Sequence, residues 1–95
     1  MARVTTPAWL DAAAGEIWEE LRAGLEAKRL LTSGSANAFA VYCDAIARHR
    51  EAAAMVARDG MLIVGDKEQI IRNPAVGLVK EYGSLVLSAG RRFGL

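Results

Sequence analysis

Leu10, Ala14, Ile17, Trp18, Leu21 and Leu25 follow one another at spacings of three and four. That spacing gathers them on one face of an α-helix. Such a stripe must bury against another element, which commits the chain to packing around helices. Asp11 is placed as an N-cap, with Leu10 before it as the staple residue. Thr5, Thr6 and Pro7 keep the helix from running in from the start, so residues 1–10 read as an arm. Glu19, Arg22 and Glu26 lie on the opposite side as solvated pairs. Lys28 and Arg29 fall in the expected last turn, where cations suit the helix dipole. A first helix is expected over about residues 11–29.

The rest of the chain repeats the theme with one interruption. Residues 30–35 read as a short connection in which Ser33 or Ser35 can cap the second helix. Phe39, Tyr42, Cys43, Ile46, Ala53, Ala54 and Ala57 trace the stripe of that helix, over about residues 35–58. It stops at Asp59-Gly60, with Gly60 as the residue past the end. The short loop makes the pair an antiparallel helical hairpin spanning residues 11–59, in which Trp18 is expected near Tyr42 and Ile46. Residues 60–73 change character. Two short apolar runs around Gly65-Asp66-Lys67 predict a β-hairpin, which is marginal alone and must lean on a helix or a neighbouring subunit. Asn73-Pro74 then opens a third helix, with Asn as N-cap and Pro at the first helical position. Val79, Tyr82, Val86, Ala89 and Phe93 form its seam, widened by Leu78 and Leu85. A helix apolar over so much of its circumference is buried from more than one side. Gly83 and Gly90, seven apart, predict a close helix–helix approach across a subunit boundary. The fold class is mainly α, in one domain over 1–95: arm, helical hairpin, short β-hairpin, and an oligomerisation helix over 74–95.

Composition excludes most chemistry. A chain of 95 residues that is 53% hydrophobic and 24% charged is neither disordered nor a membrane segment. It has no run of about 18 apolar residues to span a bilayer. The start MARVTT lacks the apolar core of a signal peptide. So small a domain has a marginal core, so an apolar excess points to surface buried against copies of itself. The single cysteine, Cys43, and single histidine, His49, exclude a disulfide and a Cys or His metal cage, and fit a reducing cytoplasm. Cys43 reads as a small buried hydrophobe. No Walker-type phosphate loop, HExxH, CxxC or GxSxG motif occurs, so neither catalytic residues nor cofactors are expected. Residues 1–27 carry a net −3 and residues 28–95 a net +4. That polarity is mild for a monomeric DNA-binding domain, but a ring of copies would concentrate it.

The order of landmarks resembles the small terminase subunit of tailed bacteriophages. Those landmarks are Ile17-Trp18 in the first helix, Tyr42-Cys43-Asp44 in the second, Asn73-Pro74 opening the third, and Phe93-Gly94-Leu95. They cover roughly residues 7–95. The resemblance implies a non-enzymatic packaging component of the host bacterial cytoplasm. Such a protein forms a homo-oligomeric ring of about eight to ten, binds viral double-stranded DNA and regulates the large terminase subunit, which carries the ATPase and nuclease. The sequence departs from the family where helix 2 begins, with Ser33-Gly34-Ser35 in place of an acidic residue. It also stops at Leu95, where the family usually continues, so a tail that engages the large subunit is expected to be missing.

On this reading the DNA-binding candidates are Lys28, Arg29, Arg48, Arg50, Arg91 and Arg92, with Arg3 and Arg58 behind them and Trp9 as a stacking platform. Lys28-Arg29 and Arg48/Arg50 are favoured. The interface candidates are Val79, Tyr82, Gly83, Val86, Gly90 and Phe93. A second reading fits the same residues: a helical protein–protein interaction module that never touches nucleic acid.

Overall fold

The computed structural model describes residues 5–94; Arg3 and Leu95 lie outside them. Helix α1 spans Ala12–Ala27, α2 Ala36–Asp59 and α3 Pro74–Gly90. Between α2 and α3 sits an antiparallel hairpin of β1, Leu62–Val64, and β2, Ile70–Arg72. A short 3₁₀ turn, Arg91–Phe93, follows α3.

Local chemistry accounts for the ends of each element. The Asp11 carboxylate accepts from the Ala14 amide at 2.9 Å, satisfying one of the orphan donors of α1. Helix α1 stops two residues before the expected end. Arg29 takes a left-handed φ of 60°, its amide donates to Glu26 O, and the Leu30 amide reaches back to Leu25 O at 2.9 Å. This is a Schellman closure, in which glycine usually occupies the left-handed position. With Arg there, the sequence carries no stop signal. Ser35 does occupy the N-cap position of α2, but its hydroxyl turns back onto Thr32 rather than capping the helix. Asn73 is the strongest local anchor. It accepts from the Ala75 amide, donates from Nδ2 to Gly60 O at 2.9 Å, and donates its own amide to Met61 O. One buried side chain thus caps α3 and ties the base of the hairpin to the end of α2.

The core lies at one end of an elongated molecule of 59 × 24 × 17 Å. Trp18, Phe39 and Cys43 are fully buried. Phe39 is the hub, with ring centroids 4.8 Å from Trp18, 6.3 Å from Tyr42 and 5.5 Å from Phe93. Trp18 packs on α2 as expected, but its ring partner is Phe39, one turn before Tyr42. The α2 stripe also differs from the expected one. Ala45, Ala47 and Ala52 are buried, whereas Ala54 and Ala57 are exposed. The reason is length: α1 is about 24 Å long and α2 about 36 Å. Past Arg48, which meets the start of α1, α2 packs chiefly against α3, and its buried face is narrower.

The seam of α3 is largely consumed inside the chain. Val79, Tyr82 and Val86 are half-buried, and Gly90 is buried. Phe93, expected at a subunit boundary, is 3% exposed and set edge-on to Phe39 in the core. The close approach at Gly83 is also internal: a Cβ there would lie 3.5 Å from the His49 ring on α2. That is ordinary van der Waals contact, so Gly83→Ala will fit. It is expected to stabilise the protein by up to about 1 kcal/mol through helix propensity and a less flexible unfolded chain. Gly83→Leu overfills the α2–α3 contact and will cost about 1–3 kcal/mol. Urea midpoints at two protein concentrations check this. If Gly83→Leu kept its midpoint and changed only the assembled mass, the glycine would belong to a subunit boundary after all.

Candidate nucleic-acid interface

The Schellman closure does more than end α1. It takes Lys28 and Arg29 out of the helix and sets both at the tip of the helical hairpin, exposed. The 3₁₀ turn likewise ends α3 with Arg91 and Arg92 exposed, and Gly94 closes it in the left-handed conformation. These two ends meet: a Cβ on Gly94 would lie 3.8 Å from Leu30 Cδ1. Pairs of basic residues more than 60 positions apart in sequence therefore share one end of the molecule. None of the four has a carboxylate partner among the described residues. The nearest acidic residue along α1, Glu26, is held by Arg22 at 3.1 Å.

Other candidates fare differently. Arg48 is enclosed by carboxylates, pairing with Asp11, with Glu51 at 3.1 Å and with Asp44 at 3.6 Å. The Ala14 amide and then Arg48 hold the Asp11 carboxyl below its ordinary range. Asp11 in turn is the chief cause raising Arg48 above its own. Arg48 thus pins α1 to α2 and is withdrawn from phosphate. Arg50 is exposed and unpaired among the described residues, but it stands about 21 Å along α2 from the basic end. Arg58 pairs with its neighbour Asp59 at 2.8 Å. Trp9 is exposed but precedes α1, at the opposite end of that helix from Lys28 and Arg29.

Among the described residues no alternative chemistry gathers elsewhere. Burial pushes the Cys43 thiol up to about 12, far from the reactive thiolate range. His49 faces Gly83 on α3. Among the described residues no group of three or more His, Cys, Asp or Glu could hold a metal ion. No described helix is long and apolar enough to cross a membrane.

The family model for the phage terminase small subunit matches residues 14–95. The match covers α1 from its third residue, α2, the β-hairpin and α3. The chain belongs to the phage terminase small-subunit family. No curated protein and no solved structure matches it. Membership places this small terminase subunit in phage genome packaging. It also directs attention to a basic end whose two halves no linear motif joins. The sequence showed the two basic pairs, but not the Leu30–Gly94 contact that unites them. The signal available was indirect: α1 and α3 both run antiparallel to α2, so their C-termini share an end.

Proposed function

We propose that this small terminase subunit is a non-enzymatic, homo-oligomeric adaptor. It binds viral double-stranded DNA and regulates the large terminase subunit, the ATPase and nuclease, in the cytoplasm of the host bacterium. The observation that carries the DNA reading is the unpaired cluster of Lys28, Arg29, Arg91 and Arg92 at one end of the fold. A net charge of +1 per copy is too small for tight binding by a monomer. Lys28, Arg29 and Arg91 alone are enough for several phosphate contacts, each releasing condensed counterions. Copies held in one ring then share a single DNA molecule, so every contact after the first is intramolecular. Binding is accordingly weak per subunit and tolerant of sequence. Arg48 plays no part in it, because phosphate would have to displace three carboxylates.

A gel-shift titration of the assembled protein on long duplex DNA across a salt series tests this. Replacing Lys28, Arg29 and Arg91 with Ala is expected to flatten the slope of log affinity against log salt by roughly 0.9 for each phosphate left without its cation. Arg58→Ala, which removes a cation already paired to Asp59, will leave the slope unchanged. If no shift appears below about 100 µM in low salt, the weak limit of non-specific binding, the DNA reading fails and the interaction module replaces it.

A further inference from the structure

Beside scattered residues such as Trp9, Leu78 and Leu87, two unlike places hold apolar surface that folding leaves uncovered. The first is the β-hairpin. The register Leu62↔Arg72, Ile63↔Ile71 and Val64↔Ile70 puts Leu62, Val64 and Ile70 on one face, with Arg72 beside Leu62 at its base. These are 65%, 70% and 74% exposed, while Ile63 and Ile71 on the other face are half-buried. The second is a groove of about 400 Å³ between the start of α2 and the end of α3. It is lined by Ala38, Val41, Leu85, Ser88, Ala89 and Arg92. The hairpin follows the end of α2 and the groove lies near its start, so the two sit toward opposite ends of the long axis.

We propose that the hairpin tip of one copy docks into this groove on a second copy. Val64 and Ile70 fill the Val41–Leu85 floor, and Asp66 and Glu68 face Arg92 at its rim. Shape gives the first argument, a projecting turn against a concave strip. Charge gives the second. The tip residues Asp66, Lys67 and Glu68 sum to −1, its carboxylates have no cation partner among the described residues, and Arg92 has no carboxylate. Order gives the third. The tip is already closed by Gly65 N to Gln69 O at 2.7 Å, Glu68 N to Gly65 O at 3.0 Å and Lys67 N to Gln69 Oε1 at 2.8 Å, so docking freezes little that is not already fixed. Each copy carries one projection and one groove. The contact is therefore heterologous, and it propagates until a ring closes or a filament grows. It assigns Arg92 to the neighbour and leaves Lys28, Arg29 and Arg91 for phosphate.

The contact takes up the oligomer of the proposed function, but it is argued from these surfaces and is tested without DNA. Failure of this contact in a chain that still assembles leaves the DNA reading standing, a monomeric unaltered chain sinks both, and a ring that ignores DNA sinks only the DNA reading. Ile70→Glu spoils the projection alone, and Leu85→Glu spoils the groove alone. By light scattering at tens of micromolar, the unaltered chain is expected to be larger than a dimer, and each variant to stand at the 10.2 kDa of one chain. Mixed in equal amounts, the variants retain one good projection and one good groove between them. They are expected to form a 1:1 species of twice that mass and no larger. A mixture that stays at the mass of one chain overturns the proposal, and so does a Leu85→Glu chain that still assembles alone, which would point to hairpin pairing with hairpin. An unaltered chain that is monomeric, or an Ile70→Glu chain that assembles normally, also overturns it. If either variant loses its helical circular dichroism, Arg92→Glu and Glu68→Arg take their place. Each alone is expected to weaken assembly and the two combined in one chain to restore it; no restoration overturns the proposal.

Discussion

Phe39→Ala is expected to destabilise the protein by about 3–5 kcal/mol, the usual cost of emptying a buried aromatic site. Small domains have only about 5–15 kcal/mol of stability in total, so the variant will sit at the edge of unfolding at 25 °C. The effect is large because Phe39 joins three elements. Its ring meets Trp18 from α1, Tyr42 on its own helix and Phe93 from the 3₁₀ turn, and it is wholly buried. The cavity cannot close by moving one neighbour, because each is held by its own helix. Urea unfolding followed by circular dichroism measures the loss. With Trp9 replaced by Phe, Trp18 emission reports it independently, moving to longer wavelength as water reaches the indole. A loss below about 1 kcal/mol, the scale of a tolerated apolar exchange, would show that Phe39 is not the centre of the core.

Helix identity was legible in the sequence because periodicity and capping agreed. Leu10 to Leu25 gave the buried face of α1, and Asn73-Pro74 gave the start of α3 to the residue. The hairpin was legible from its Gly-Asp turn between apolar runs. What the sequence withheld depends on three-dimensional partners. Arg29 adopts a glycine-like conformation because the Schellman bonds and the burial of Leu31 in the core compensate its backbone cost. Arg48 and Arg50 look alike in sequence, and only the return of Asp11 beside α2 separates a structural cation from a free one. The α3 seam looked like an intersubunit surface because periodicity reports that a face is buried, not what buries it. The exposed apolar residues that could serve a neighbour are instead Leu78, Leu85 and Leu87 on α3, Val41 and Met55 on α2, and those of the hairpin.

The sharpest test of that reassignment is Phe93→Ala, expected to cost about 3–5 kcal/mol irrespective of protein concentration. Were Phe93 an anchor between subunits, the cost of removing it would itself depend on concentration and vanish wherever the chain is monomeric. The structure puts the ring 5.5 Å from Phe39 and 6.0 Å from Tyr42, with 3% of the residue exposed, so no surface remains for a neighbour to cover. Its removal acts on folding directly. It frees the 3₁₀ turn from the core and with it the Gly94–Leu30 contact that brings Arg91 toward Lys28 and Arg29. Measured in an Ile70→Glu background, where assembly through the hairpin is removed, the cost is expected to be the same. Combined with Phe39→Ala the two costs will sum to less than their separate values, because the rings share one contact. A cost that disappears in the Ile70→Glu background would return Phe93 to the subunit boundary, and the core would then have to hold without it.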